Sequence, residues 1–182
     1  MPDLLLVSVV PLFAAFLLGA VDGLYFHLRR YRLFAFAESR REHLLHTLRA
    51  FLVLPPLTLL YLADVTGPCL WAAAAAIAID QVMLGLDLRE EATSRRRFGG
   101  LAPAEYQIHV VANGLHGIAL ALALASRPTT AWSLSACSVG ASSLPGAIQA
   151  LVGVLWLASA VAAVQHLALL FADQPDAAVA AP

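Results

Sequence analysis

The sequence predicts an all-α integral membrane protein, a helical bundle with five transmembrane helices forming a single membrane domain over residues 1–182. Three observations carry this. Hydrophobic residues make up 60% of the chain and charged residues only 13%, where a soluble domain of this size carries about 25% charge. Five segments hold the roughly 20 mostly apolar residues that a helix needs to cross the hydrocarbon. Nine of the 11 basic residues fall in two of the connections between those segments. With a mean hydropathy of +0.78, this composition excludes a soluble enzyme, a disordered chain and a nucleic-acid binder.

The spans read, in order, as Leu4–Tyr25, Leu44–Leu62, Pro68–Leu86, Tyr106–Ala125 and Ile148–Ala172. The first is too long for a removed signal peptide and lacks its basic start. In the second, Pro55-Pro56 should bend or break the helix, because proline removes a donor and clashes with the preceding turn. Ser39 and Pro103 are the expected start residues of the second and fourth helices. The tail from Asp173 to Pro182 reads as a frayed end.

All 11 basic residues are arginine. Arg29, Arg30, Arg32, Arg40 and Arg41 join the first two spans, and Arg89, Arg95, Arg96 and Arg97 join the third and fourth. The positive-inside rule puts these two loops in the cytoplasm, with the amino terminus outside and the carboxyl terminus inside. Arginine without lysine in an alanine-rich chain suggests a bacterial cell membrane. Trp71 and Trp132 then fall near the outer boundary, as interfacial anchors. Cys69 and Cys137 face the same oxidising side, either paired in a disulfide or as two free thiols.

All six histidines, with Asp22, Glu42, Asp80, Asp87 and Glu105, fall in the arginine-rich loops or the helix halves next to them. Ionisable groups within a span are costly and point to function. The order is Asp22, Glu42-x3-His46, Asp80, Glu105-x3-His109, with offsets of 58, 63 and 63 residues between the corresponding positions. This suggests an internal repeat of two parallel hairpins, residues 4–62 and 68–125, followed by a fifth helix at 148–172. Residues four apart share a helix face, so each Glu and His of a pair point together. His116 continues the stripe of the fourth helix, His166 lies on the fifth, and Arg49 follows His46.

Four carboxylates and two imidazoles on four helices resemble, in ligand type and order, the ligand set of the di-iron and di-manganese carboxylate bundles. The differences are Asp in place of the single Glu, a spacing of four in place of three, and a lipid setting. The candidate metal ligands are Asp22, Glu42, His46, Asp80, Glu105, His109, His116 and His166, with Arg49 to hold an acidic substrate headgroup. Oxygen and imidazole ligands without thiolate suit iron, manganese or zinc, and the count of carboxylates favours two ions, and iron.

Quieter readings stand beside these. Ser39-x-x-Glu42 could be a capping box, and Glu105 could serve the helix dipole. His43 reads as interfacial, His27 as interfacial or a ligand, and the histidines and aspartates as hydrogen-bonded helix glue. Asp87, Glu90 and Glu91 fall in a mixed-charge loop, although Asp87 shares a face with Asp80.

The expected function is a membrane metal-dependent oxidoreductase that uses dioxygen on an apolar or lipid-like substrate drawn from membrane lipid. The alternatives are a zinc-dependent membrane hydrolase, a cation or proton-coupled transporter, a haem electron carrier and a non-catalytic membrane subunit. The outer half offers a transported ion no polar path, and the dense carboxylates suit a haem poorly.

Overall fold

The computed structural model describes residues 2–172, with side chains from Leu4 onward. The tail expected to fray, 173–182, lies outside the described residues. Among the described residues, five helical runs are long and apolar enough to cross a membrane: Leu4–Ala35, Ala37–Leu62, Pro68–Ser94, Pro103–Ala125 and Gly146–Phe171. We number their main α-helical parts α1 (Pro2–Ala20), α2 (Arg40–Leu52), α3 (Pro68–Ser94), α4 (Pro103–Ala125) and α5 (Gly146–Phe171). α1 packs on α4, and α2 packs on both α3 and α5. Large apolar side chains such as Val10, Leu17, Val154 and Val161 face outward.

Three departures from the expected boundaries matter for the site. First, α1 does not stop near Tyr25 but passes into a π-helical stretch, Val21–Arg30. Hydrogen bonds in a π-helix close over five residues, so Asp22 and His27 come onto one face. Second, α2 ends at Leu52, and the chain reaches Leu62 through a single turn, Leu54–Pro56, and a second π-helical stretch, Leu57–Leu62. This is the break expected of Pro55-Pro56. Third, α3 runs on to Ser94, so Asp87 and Glu91 lie on a helix face, not in a loop.

At one end of the bundle the connections form a small cap that the all-helical reading did not contain. Strand β1 (Ala63–Thr66) pairs antiparallel with β2 (Ser138–Ala141). Four-residue strands leave too short an alternation to be seen in a sequence. Cys69 and Cys137 are joined in a disulfide beside them, with Cα atoms 5.5 Å apart. Gly67 (φ 64°) opens α3 here, and a Cβ at that position would collide with the carbonyl oxygen of Ala136. Trp71 donates its Nε1–H to the Trp132 carbonyl across 3.0 Å. The apolar core fills the same half of the bundle, with Leu12, Leu57, Leu60, Tyr61, Leu70, Ala119 and Val152 almost fully buried. Within it, Tyr61 donates its hydroxyl to the Ala119 carbonyl, 3.1 Å away. The two arginine-rich loops meet at the opposite end, where Arg41 pairs with Glu90 at 3.1 Å and Arg97 with Glu38 at 3.7 Å.

Candidate metal centre

Below the arginine-rich end, four elements each contribute two ionisable residues to one buried cluster. The π-helical end of α1 brings Asp22 and His27, and α2 brings Glu42 and His46. α3 brings Asp87 and Glu91, and α4 brings Glu105 and His109. On the three α-helices the paired residues are four apart, and on the π-helical segment they are five apart, so one turn of each backbone aligns its pair.

Three overlapping groups have ligand atoms close enough together to hold a metal ion. These are Asp22, His27 and His46; Glu42, His46 and Asp87; and Asp87, Glu91 and His109, in each of which the atoms lie within 4.8 Å of one another. His27 Nε2 stands 3.6 Å from Asp22 Oδ1, 3.8 Å from Glu105 Oε1 and 4.0 Å from Glu42 Oε1. His46 Nδ1 is 3.0 Å from Asp87 Oδ1. His109 donates its Nδ1–H to Asp22 Oδ2 at 3.0 Å, with Glu91 Oε1 at 3.3 Å.

The decisive feature is which atoms lack partners. Among the described residues, Asp22 Oδ1, both ring nitrogens of His27, Glu42 Oε1, Glu105 Oε2 and His109 Nε2 are buried without a hydrogen bond. Buried polar atoms are normally satisfied, and each exception calls for a reason. The distances around His27 Nε2 are too long for hydrogen bonds, which run to about 3.2 Å for nitrogen to oxygen. They suit neighbouring ligands of one ion, whose bonds of about 2.0–2.2 Å leave ligand atoms roughly 3–4 Å apart. His109 has its Nδ1–H on a carboxylate and its Nε2 bare, the arrangement in which a carboxylate orients a ligating imidazole.

Two arginines brace the cluster. The Arg95 side chain is wholly buried and bridges two acids, with Nη1 2.9 Å from Glu42 Oε2 and Nη2 2.5 Å from Glu105 Oε1. Ser94 Oγ also donates to Glu42 Oε2. Burial opposes the charge on Arg95, but the hydrogen bonds and negative charge of Glu105 and Glu42 outweigh it and hold its pKa above the ordinary arginine value. Arg49 bonds Asp80 at 3.0 Å, Asp87 at 3.4 Å and Asn113 at 2.7 Å. The two guanidinium groups pair with four carboxylates, those of Asp80, Asp87, Glu42 and Glu105, and Asp22 and Glu91 bring the total to six. With all of them ionised and the histidines neutral, four negative charges remain, the charge that two divalent cations would neutralise.

Of the residues singled out from sequence, Asp22, Glu42, His46, Glu105 and His109 meet in this cluster. Asp80 and Glu105 belong to none of the three groups; Glu105 Oε1 stands 3.8 Å from His27 Nε2, whereas the Asp80 carboxylate takes Arg49 and the amide of Gln81. His116 lies seven residues beyond His109, about 10 Å further along the helix, edge-on to Phe16. His166 stacks on His43 with ring centroids 5.1 Å apart, and its carbonyl accepts the Nε2–H of His43. His43 is thus buried between helices and not exposed at an interface. Ser39 makes no capping bond to α2; its hydroxyl donates to Leu33 and Phe36. The capping box is therefore not formed, and Glu42 turns inward instead.

The sequence pattern leaves His27 as either interfacial or a ligand and does not single out Asp87, Glu91 or Arg95 as part of the site. A signal for two of them was present. Asp87 lies 65 residues after Asp22, nearer the 63-residue offset of the other pairs than Asp80 is, and Glu91 follows it by the same four-residue step. His27 was hidden because its alignment with Asp22 needs a π-helix. Set against protein-family models, curated proteins and solved structures, the chain matches none, so its chemistry is argued from its own residues.

Proposed function

We propose that the protein is a bacterial cell-membrane oxidoreductase. In this reading a two-metal, iron-containing centre near the cytoplasmic face uses dioxygen to oxidise a lipid-soluble substrate. The observation that carries it is the gathering, from four helical elements, of unpartnered buried carboxylate oxygens and imidazole nitrogens around three overlapping groups of potential ligands. Asp22, His27, Glu42, His46, Asp87, Glu91, Glu105 and His109 are the ligands. Arg95 holds Glu42 Oε2 and Glu105 Oε1, which leaves Glu42 Oε1 and Glu105 Oε2 without a hydrogen bond and available to the ions. Iron fits the ligand set, which is rich in carboxylate and imidazole and free of thiolate, and manganese or zinc would be held by the same atoms.

The charge asymmetry of the loops supports an orientation with the amino terminus outside and the metal centre next to the cytoplasm. The packing of α1 on α4 and of α2 on α3 supports two parallel hairpin repeats, since a two-fold axis along the membrane normal makes those two contacts equivalent. Asp22 with His109 and Asp87 with His46 are then corresponding pairs, both at 3.0 Å.

A cation carrier is the weaker reading. The half of the bundle beyond the cluster is filled by the apolar core around Leu12, Leu60 and Leu70, which gives an ion no polar route onward. Mössbauer spectroscopy of protein enriched in iron-57 tests the proposal. A coupled iron pair that oxidises on exposure to dioxygen is expected, and its loss in His46→Ala/His109→Ala protein. An uncoupled iron signal indifferent to air would contradict it.

A further inference from the structure

A cavity of about 510 Å³ runs from the cluster towards the middle of the bundle. Asp22, His46 and His109 line one end of it, and His116 and His166 line it as well. Most of the remaining wall is apolar, and much of it is small, with Gly19, Ala20 and Gly23 on the first span and Ala158 and Ala162 on α5. Leu17, 70% exposed, and Leu24, 51% exposed, also belong to this lining, as does exposed Ala158. These residues lie on membrane-length helices, so the cavity opens sideways to lipid.

Two features restrict what fits. Among the described residues, the only arginine on the wall is Arg49, and each of its three nitrogens already bonds a protein oxygen, from Asp80, Asp87 or Asn113. A carboxylate or phosphate headgroup would meet Asp22 and Asp80, and the guanidinium beside them is already paired with the two carboxylates of Asp80 and Asp87, so an uncharged ligand fits best. His116 Nε2 and His166 Nδ1 are buried without partners, and both belong to residues that line the cavity. An uncharged ligand that satisfies both presents two hydrogen-bonding oxygens. A sterol or fatty alcohol offers one, whereas a quinol ring offers two on opposite sides, and the small residues leave width for a ring.

We infer that the cavity binds a lipid-soluble quinol, which enters from the bilayer between α1 and α5 and is the reducing substrate of the metal centre. The oxidation rests on the proposed metal centre; the binding does not. Each quinol loses its two O–H bonds, giving up two electrons and two protons to become the quinone. Two such oxidations supply the four electrons and four protons that turn one dioxygen into two waters.

The experiment uses the full chain in lipid nanodiscs, a photoreactive azido-benzoquinone as probe and metal analysis of the same sample. Labelling of peptides from residues 13–24 and 155–166 is expected, competed by decyl-tailed benzoquinol and not by oleic acid. His116→Leu and His166→Leu should each weaken competition about tenfold, as loss of one hydrogen bond would. Ala158→Trp should block labelling while leaving the metal in place. Absence of cavity labelling in metal-replete protein, or displacement by oleic acid alone, would overturn the quinol assignment and leave the metal centre standing. Specific labelling of protein that holds no metal would keep the binding site and remove the oxidation.

Discussion

Nε2 of His27 and Oδ1 of Asp22 lie 3.6 Å apart, both buried and neither with a hydrogen-bond partner. Two such atoms left facing each other would be an uncompensated cost, and a shared cation removes it. His27→Ala should therefore lower metal affinity by more than the roughly 10–100-fold that follows loss of a group outside the ligand set. Competition with a chelator of known affinity measures this. Unchanged affinity would take His27 out of the ligand set.

Asp80 and Asp87 are both aspartates of α3 that touch Arg49, yet only Asp87 reaches the cluster. Asp87→Asn should lower the bound metal, and Asp80→Asn should leave the stoichiometry unchanged. Elemental analysis of the two variants side by side separates them, and equal loss in both would restore Asp80 as a ligand.

Arg95 has no exposed side-chain surface and holds two glutamates. Removing one partner of a buried charged group leaves the other uncompensated, at a cost of about 3–5 kcal/mol. Arg95→Leu should lose stability by about that amount in detergent unfolding, and Arg95→Lys by less. A loss below about 1 kcal/mol for Arg95→Leu, within the range of exposed ion pairs, would show that the bridge is not formed.

The Cys69–Cys137 disulfide closes a long loop, with a sequence separation of 68 residues. Changing both residues to Ser should cost about 2–4 kcal/mol and leave the metal content unaltered, since the bond sits at the opposite end from the cluster. In intact cells, a membrane-impermeant thiol reagent should label both cysteines after treatment with an impermeant reductant. Labelling only after permeabilisation would invert the proposed orientation.

Much of this arrangement was legible in the sequence because five helices long and apolar enough to cross a membrane leave few places for ionisable residues. Span lengths, the break at Pro55-Pro56 and the grouping of ionisable residues at one end all follow from the cost of polar groups in hydrocarbon. Five of the eight cluster residues, Asp22, Glu42, His46, Glu105 and His109, stood out as polar residues at helical spacing. The others depended on local backbone choices that a hydrophobic pattern does not record. The π-helix sets the phase of His27, and the continuation of α3 past Leu86 decides that Asp87 and Glu91 face inward. A loop arginine such as Arg95 is ordinarily solvated, and only the fold shows it folded back onto Glu42 and Glu105. Arg49 was expected to meet a substrate headgroup, but the positions of Asp80, Asp87 and Asn113 engage it within the protein.

The metal content of gently purified, folded protein is the most direct measurement. About two equivalents of iron, or of manganese or zinc, per chain are expected, as a two-metal site requires, falling to background in His46→Ala/His109→Ala protein. Folded protein with its disulfide intact and no bound transition metal would contradict the central claim, and would mean that the cluster is held by protons and arginines alone.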